Sequence, residues 1–169
     1  METFYVRRIR EVGKNKKLLE EKLSVEIKTF QGKVMIEGNA EDEYDAEQVF
    51  LALDFGFSVQ KALLLKQEDY IFRVVHIKEH TKRNLKDVLS RVIGTKGKTK
   101  RVISRLTDCE VMIKDGEVGV IGYSEDVEDT VLAMVNIIKG SKQTNMYKFL
   151  EKRNRKKKDD FVPDMINKK

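Results

Sequence analysis

A single cysteine, Cys109, excludes any internal disulfide in this 169-residue chain. A lone thiol fits a reducing compartment, and Cys109 is expected to be a small core residue. There are only two histidines, His76 and His80. Beside one cysteine they supply too few donors for a structural zinc site, so no metal and no cofactor are expected. Both are expected to pack or face solvent rather than catalyse. No apolar run approaches the roughly 20 residues that span a bilayer. The start, Met1-Glu2-Thr3-Phe4-Tyr5, lacks the basic-then-apolar pattern of a secretory signal. The chain therefore reads as soluble and cytoplasmic, with no membrane segment.

Charge is abundant. Apolar residues make up 40% and charged residues 37%, which describes a globular chain with a heavily ionised surface. Lys plus Arg is 34 against 28 for Asp plus Glu, giving a net charge of +6. An excess of that size matters only if it gathers on one face, where it attracts phosphates.

The sequence repeats itself at a shift of 84 residues. Gly38 falls on Gly122, Glu41 on Glu125, Asp42 on Asp126, Asp45 on Asp129 and Gly56 on Gly140, with Val34 on Val118 and Ile36 on Val120. Each segment reads as a strand, a glycine, and a long amphipathic helix that starts acidic and is closed by glycine. Carboxylates suit the positive N-terminal end of a helix, and glycine suits its left-handed C-cap. Upstream, Phe4–Ile9 and Tyr70–Val75 are β-rich. Each is followed by a glycine (Gly13, Gly94), a short helix (17–23, 99–107), a strand (25–30, 109–114) and a turn (31–33, 115–117). The shared order is strand, helical turn, helix, strand, strand, helix, an α+β class. Gly13 to Gly38 spans 25 residues and Gly94 to Gly122 spans 28, so the first copy is about three residues shorter near its first helices.

Between the copies, Ser58 reads as the N-cap of a short helix reaching Leu65. Thr81–Val92 reads as a helix whose Leu85, Val88, Leu89 and Val92 share a face. A last helix begins near Thr144, packs Met146, Phe149 and Leu150 inward, and runs into Lys152-Arg153-Asn154-Arg155-Lys156-Lys157-Lys158. Residues from Asp159 onward read as frayed. The expected domains are 1–57, a degenerate first module; 58–69, a connecting helix; 70–140, the second module; and 141–169, a basic helix and tail.

The most informative stretch is Val92-Ile93-Gly94-Thr95-Lys96-Gly97-Lys98-Thr99-Lys100-Arg101-Val102-Ile103. Two glycines frame two residues, and a basic amphipathic helix follows at once. Glycine lets backbone approach a phosphate, and the helix start offers free N–H groups. Such a loop in a KH module grips about four nucleotides of a single strand. Gly97-Lys98-Thr99 mimics the end of a P-loop, but that motif needs a glycine five residues before Gly97, where Val92 stands. No nucleophile–base pair points to an enzyme either. The expected RNA-binding residues are Ile93, Gly94, Thr95, Lys96, Gly97, Lys98, Thr99, Lys100 and Arg101, with Val111 and Ile113 on the strand. Val92, Val102 and Ile103 are further candidates for an apolar groove on which bases rest. Gly94→Asp with Gly97→Asp is expected to weaken RNA binding sharply while the fold persists. The first copy, Val12-Gly13-Lys14-Asn15-Lys16-Lys17, has no second glycine and is expected to have lost this grip. Lys14, Lys16 and Lys17 remain for unspecific phosphate contacts, and a structural or protein-docking role fits this copy equally. The cationic C-terminal run is a further candidate for phosphate contact.

Several motifs in order resemble the archaeal and eukaryotic partner-of-Nob family of two-KH ribosome assembly factors. They are Gly56-Phe57-Ser58, Lys61-Ala62-Leu63, Asp69-Tyr70, Arg91 through Arg101, and Tyr147-Lys148-Phe149-Leu150-Glu151. The resemblance implies two tandem type I KH domains (βααββα), the first degenerate and the second intact, followed by a C-terminal basic helix. It implies binding of single-stranded rRNA at the 3′ end of the small-subunit (16S) molecule. It also implies work beside the endonuclease that trims that end, and a partnership with the alpha subunit of translation initiation factor two. The short N-terminus fits the archaeal type. A protein-interaction scaffold with incidental RNA binding is the alternative.

Overall fold

The computed structural model describes residues 2–160, and these fall into two compact units. The first comprises residues up to Arg73 together with Ile121–Ser124; the second comprises Val74–Val120 and the residues from Glu125 onward.

The first unit opens with strand β1 (Glu2–Tyr5), followed by helices α1 (Ile9–Lys14) and α2 (Lys16–Leu23). Strands β2 (Glu26–Phe30) and β3 (Lys33–Glu37) come next, then the long helix α3 (Ala40–Phe55). The sheet is antiparallel in the order β1-β3-β2, with Phe4 opposite Val34 and Ile27 opposite Ile36. Val34, Ile36 and Ile27 alternate inward and are fully buried against Leu19, Leu23, Val49 and Leu53 of the helices. Asn39 caps α3 by accepting the Asp42 N–H at 2.9 Å. Gly56 ends it at φ 134°, a conformation open to glycine. Phe57 then turns into the core beside Phe55 and Phe72, with ring centroids 5.8–5.9 Å apart. Ser58 caps helix α4 (Val59–Ala62), which tightens into a 3-10 turn over Leu63–Lys66. Gly56-Phe57-Ser58 is thus a stop, a core anchor and a start.

Strand β4 (Tyr70–His76) begins the second copy. It is followed by the one-turn helix α5 (Ile77–His80), α6 (Leu85–Ile93) and α7 (Lys98–Thr107). Strands β5 (Glu110–Lys114) and β6 (Glu117–Tyr123) and helix α8 (Ser124–Lys139) complete it. Its sheet order, β4-β6-β5, repeats that of the first. Helix α9 (Gln143–Asp160) then packs along α7 and buries Leu150.

The 84-residue shift holds in the backbone itself. β2 maps onto β5 end for end, and α3 onto α8. Left-handed caps recur at Ser24 (φ 56°) and Asp108 (φ 54°). Both hairpins turn on two residues with positive φ, Gln31-Gly32 and Asp115-Gly116, the geometry that matches strand twist.

Four expectations need correction. Phe4–Ile9 is not one strand: β1 stops at Tyr5, and Ile9 starts α1. The expected helix Thr81–Val92 begins only at Leu85, because Asn84 Oδ1 accepts the Lys86 N–H at 2.9 Å and caps it there. Gly13 is not the counterpart of Gly94. It lies inside α1, and α1 and α2 meet at Asn15 with no loop between them. The buried pair Val12 and Leu19 is seven residues apart, against eleven for Val92 and Ile103. The four missing residues are the loop. Asp159 and Asp160 are helical, and the rest of the expected frayed tail lies outside the described residues.

Candidate nucleic-acid interface

Three of the four residues in the loop between α6 and α7, Gly94, Lys96 and Gly97, hold positive φ. Gly94 sits at φ 76°, ψ 170° and ends α6, its N–H donating to Ser90 O at 2.9 Å. Gly97, at φ 73°, caps α7 and donates to Gly94 O at 3.1 Å. Lys96 between them is also left-handed, at φ 53°.

The two glycines are required for different reasons. A Cβ on Gly94 would lie 2.3 Å from Thr99 Oγ1 and 2.6 Å from Thr99 N, so the first glycine is demanded by packing within the loop. A Cβ on Gly97 would meet nothing within 4 Å, so the second faces open space and is held by its dihedral alone. The expectation that Asp at both positions would spare the fold is therefore wrong for Gly94.

The loop stands at the head of a helix with no side-chain cap. The Lys98 N–H donates back to Thr95 O, while the rest of the first turn has no side-chain cap and the positive end of the helix dipole stands at the loop. Thr95, Lys96, Lys98 and Arg101 are exposed and Lys100 is half-buried. Among the described residues none of the four cations forms an ion pair. Thr99 does not join them, being only 3% exposed and turned behind Gly94.

An open cleft of about 740 Å³ adjoins the loop, lined by Leu85, Lys86, Leu89, Ser90, Ile93, Gly94 and Thr95. Leu85, Leu89 and Ile93 follow one another at i, i+4 and i+8 and stay partly exposed, while Val88 and Val92 are buried. The apolar stripe of α6 is wider than the core needs, and its outer edge forms the cleft wall. Of the groove residues expected from sequence, Ile93 lies here and Ile113 is half-exposed. Val111, Val92 and Ile103 are core residues, at 5%, 0% and 0% exposure, and offer no surface to a base. Leu85, Leu89 and Ser90 were not singled out as groove residues. The clue to the first two was the width of the apolar face.

The first unit offers no equivalent. Lys14 and Lys16 pair with Glu11 and Glu20 on their own helices, at 3.8 and 3.7 Å. Cys109 is buried, and burial pushes its thiol pKa up. His76 Nδ1 lies 2.9 Å from Glu117 on the second unit's sheet. Among the described residues no cluster of His, Cys, Asp and Glu is placed to hold a metal, and no helix is long and apolar enough to cross a membrane.

Two helices joined through Gly94-Thr95-Lys96-Gly97 on a three-stranded sheet define a KH-type RNA-binding module. The model of the second KH domain of PNO1, described as a eukaryotic type KH-domain (KH-domain type I), matches residues 71–155. The chain belongs to this PNO1-type KH family, a family of RNA-binding modules rather than enzymes. A KH domain-containing protein of Methanocaldococcus jannaschii is 28% identical over 152 residues, 85% of this chain and 67% of that protein. The RNA-binding protein PNO1 of Oryzias latipes is 27% identical over 100 residues, 57% of this chain but 41% of that protein. A crystal structure of an a/eIF2alpha–aDim2p–rRNA complex from Pyrococcus horikoshii contains a chain of the same fold. Its TM-score is 0.81 at 24% identity, covering 92% of this chain and 94% of that one.

Proposed function

We propose that the chain is a ribosome assembly factor that holds single-stranded RNA in the cleft beside Gly94–Gly97, its target being the 3′-end region of small-subunit rRNA. The observation that carries the reading is Gly97. It stands in open space at the uncapped head of α7, among four unpaired cations and next to an apolar cleft. A sugar-phosphate backbone lies against bare peptide there, and its bases rest on Leu85, Leu89 and Ile93. The solved complex of a relative with rRNA supports the choice of target.

On this reading the modules follow the boundaries 1–57, 58–69, 70–140 and 141–169, and the first module has a docking role. The same complex names a/eIF2alpha, which supports the alpha subunit of initiation factor two as the protein partner. The endonuclease that trims the 3′ end is a second partner in this proposal. Fluorescence anisotropy with an oligoribonucleotide of the 16S 3′ end tests the reading. The wild-type chain binds, and Gly97→Asp loses at least tenfold in affinity without a change in far-UV circular dichroism. Equal affinity in the variant removes the loop from the function.

A further inference from the structure

A four-nucleotide grip leaves most of the positive charge on the second unit's outer helices unused. Helix α7 carries Lys98, Lys100, Arg101 and Arg105 and no carboxylate. Lys98, Arg101 and Arg105 are exposed and spaced i, i+3, i+7, on the face opposite the buried Thr99, Ile103 and Thr107.

Helix α9 divides its charge between two sides. Arg153 Nη2 lies 3.0 Å from Asp129, and Lys157 lies 2.6 Å from Asp126 and 3.0 Å from Asp129. These two cations are committed to α8. Lys148, Lys152, Arg155 and Lys156 are exposed and have no ion pair among the described residues. The two helices run side by side away from the loop. Ser141 O, just before α9, accepts from Arg91 at 2.6 Å, and Asn154 donates to Leu106 O at the far end of α7.

We infer that the outward faces of α7 and α9 form a phosphate track about 15 Å long. It begins at the loop and holds single-stranded RNA by its backbone beyond the gripped nucleotides. The inference rests on the loop reading proposed above. The absence of apolar surface decides the occupant. Among the described residues the large exposed hydrophobic side chains are Tyr5, Leu18, Phe30, Tyr44, Leu51, Ile93, Tyr123 and Leu132, and none lies on α7 or α9. A protein interface is built around an apolar core, whereas phosphate contact needs only positive charge.

Two unstructured pyrimidine RNAs test this on the full chain, one about four nucleotides long and one about three times that length. A longer strand also offers the loop more registers, which raises affinity without steepening the salt dependence, so the slope decides. The wild-type log–log salt slope is expected to steepen by about 0.7 for each added phosphate contact on the longer RNA. Replacing Lys148, Lys152, Arg155 and Lys156 together by Ala is expected to abolish that excess and leave affinity for the short RNA unchanged. Equal slopes for the two RNAs in the wild type, or an excess that survives the fourfold change, overturn the track. Failure of the short RNA to bind, or binding that survives Gly97→Asp, overturns the loop reading and the track with it. Helix α9 keeps its inward contacts in the fourfold variant, so an unchanged melting curve is the control.

Discussion

The Lys157 ammonium lies 2.6 Å from the Asp126 carboxylate, clasping the end of α9 onto the first turn of α8. Asp129 joins the pair at 3.0 Å and is itself only 8% exposed. In the first copy the matching aspartate, Asp42, meets Lys66 at 3.7 Å, so each long helix has its first turn tied to the helical element that follows it. Lys157→Ala is expected to lower unfolding free energy by about 2 kcal/mol, the usual scale for a hydrogen bond between charged groups. A urea titration followed by circular dichroism measures it.

The same clasp sets a pH dependence. Burial works against the charge on Lys157, but hydrogen bonds to Asp126 and Asp129 outweigh it and hold the ammonium above its ordinary range. A group whose pKa rises on folding stabilises fully below its unfolded value, here 10.5, and that contribution fades as pH climbs through the raised folded value. The urea midpoint of the wild type should therefore fall more steeply above pH 10.5 than that of Lys157→Met.

The glycines of the loop should separate in their effects. Gly94→Ala meets Thr99 and a dihedral hostile to a side chain, and is expected to cost about 3 kcal/mol of stability. Gly97→Ala meets open space and is expected to cost only about 1 kcal/mol, from its left-handed φ. RNA affinity should fall in both. Thermal unfolding beside anisotropy distinguishes them, and equal stability losses would refute the division of roles.

The cleft wall and the core should separate as well. Ile93→Ala removes a side chain that is 36% exposed, and should weaken RNA binding with little change in stability. Val111→Ala should cost about 2 kcal/mol of stability and leave RNA contacts in place. Cys109 provides a third readout of packing. A buried thiol whose pKa is pushed up by burial should resist a thiol reagent in the native chain and react at once in denaturant.

The repeat was legible in the sequence because its signals are local. Asp42 and Gly56 mark a helix start and a helix stop, and their partners 84 residues on, Asp126 and Gly140, do the same, whereas Gly38 is a bend and its partner Gly122 lies within β6. The loop Gly94–Gly97 was legible for the same reason. Gly13 misled because alignment by residue type pairs the nearest glycine, whereas the fold aligns buried positions. Val12 matches Val92, and the residues that would form a loop are gone. Which apolar residues line a groove was not legible. Val111 and Ile113 share one strand and differ in exposure, and only the packing of neighbouring helices decides that.

The turn Asp115-Gly116 is two residues long, and Gly116 sits against Leu85 at the edge of the cleft. A hairpin so tight cannot arch over a bound strand. On the proposed reading, RNA meets no tunnel among the described residues and is laid in sideways and lifted out again. On that same reading, a segment in the middle of a long strand can be seized as readily as a terminus.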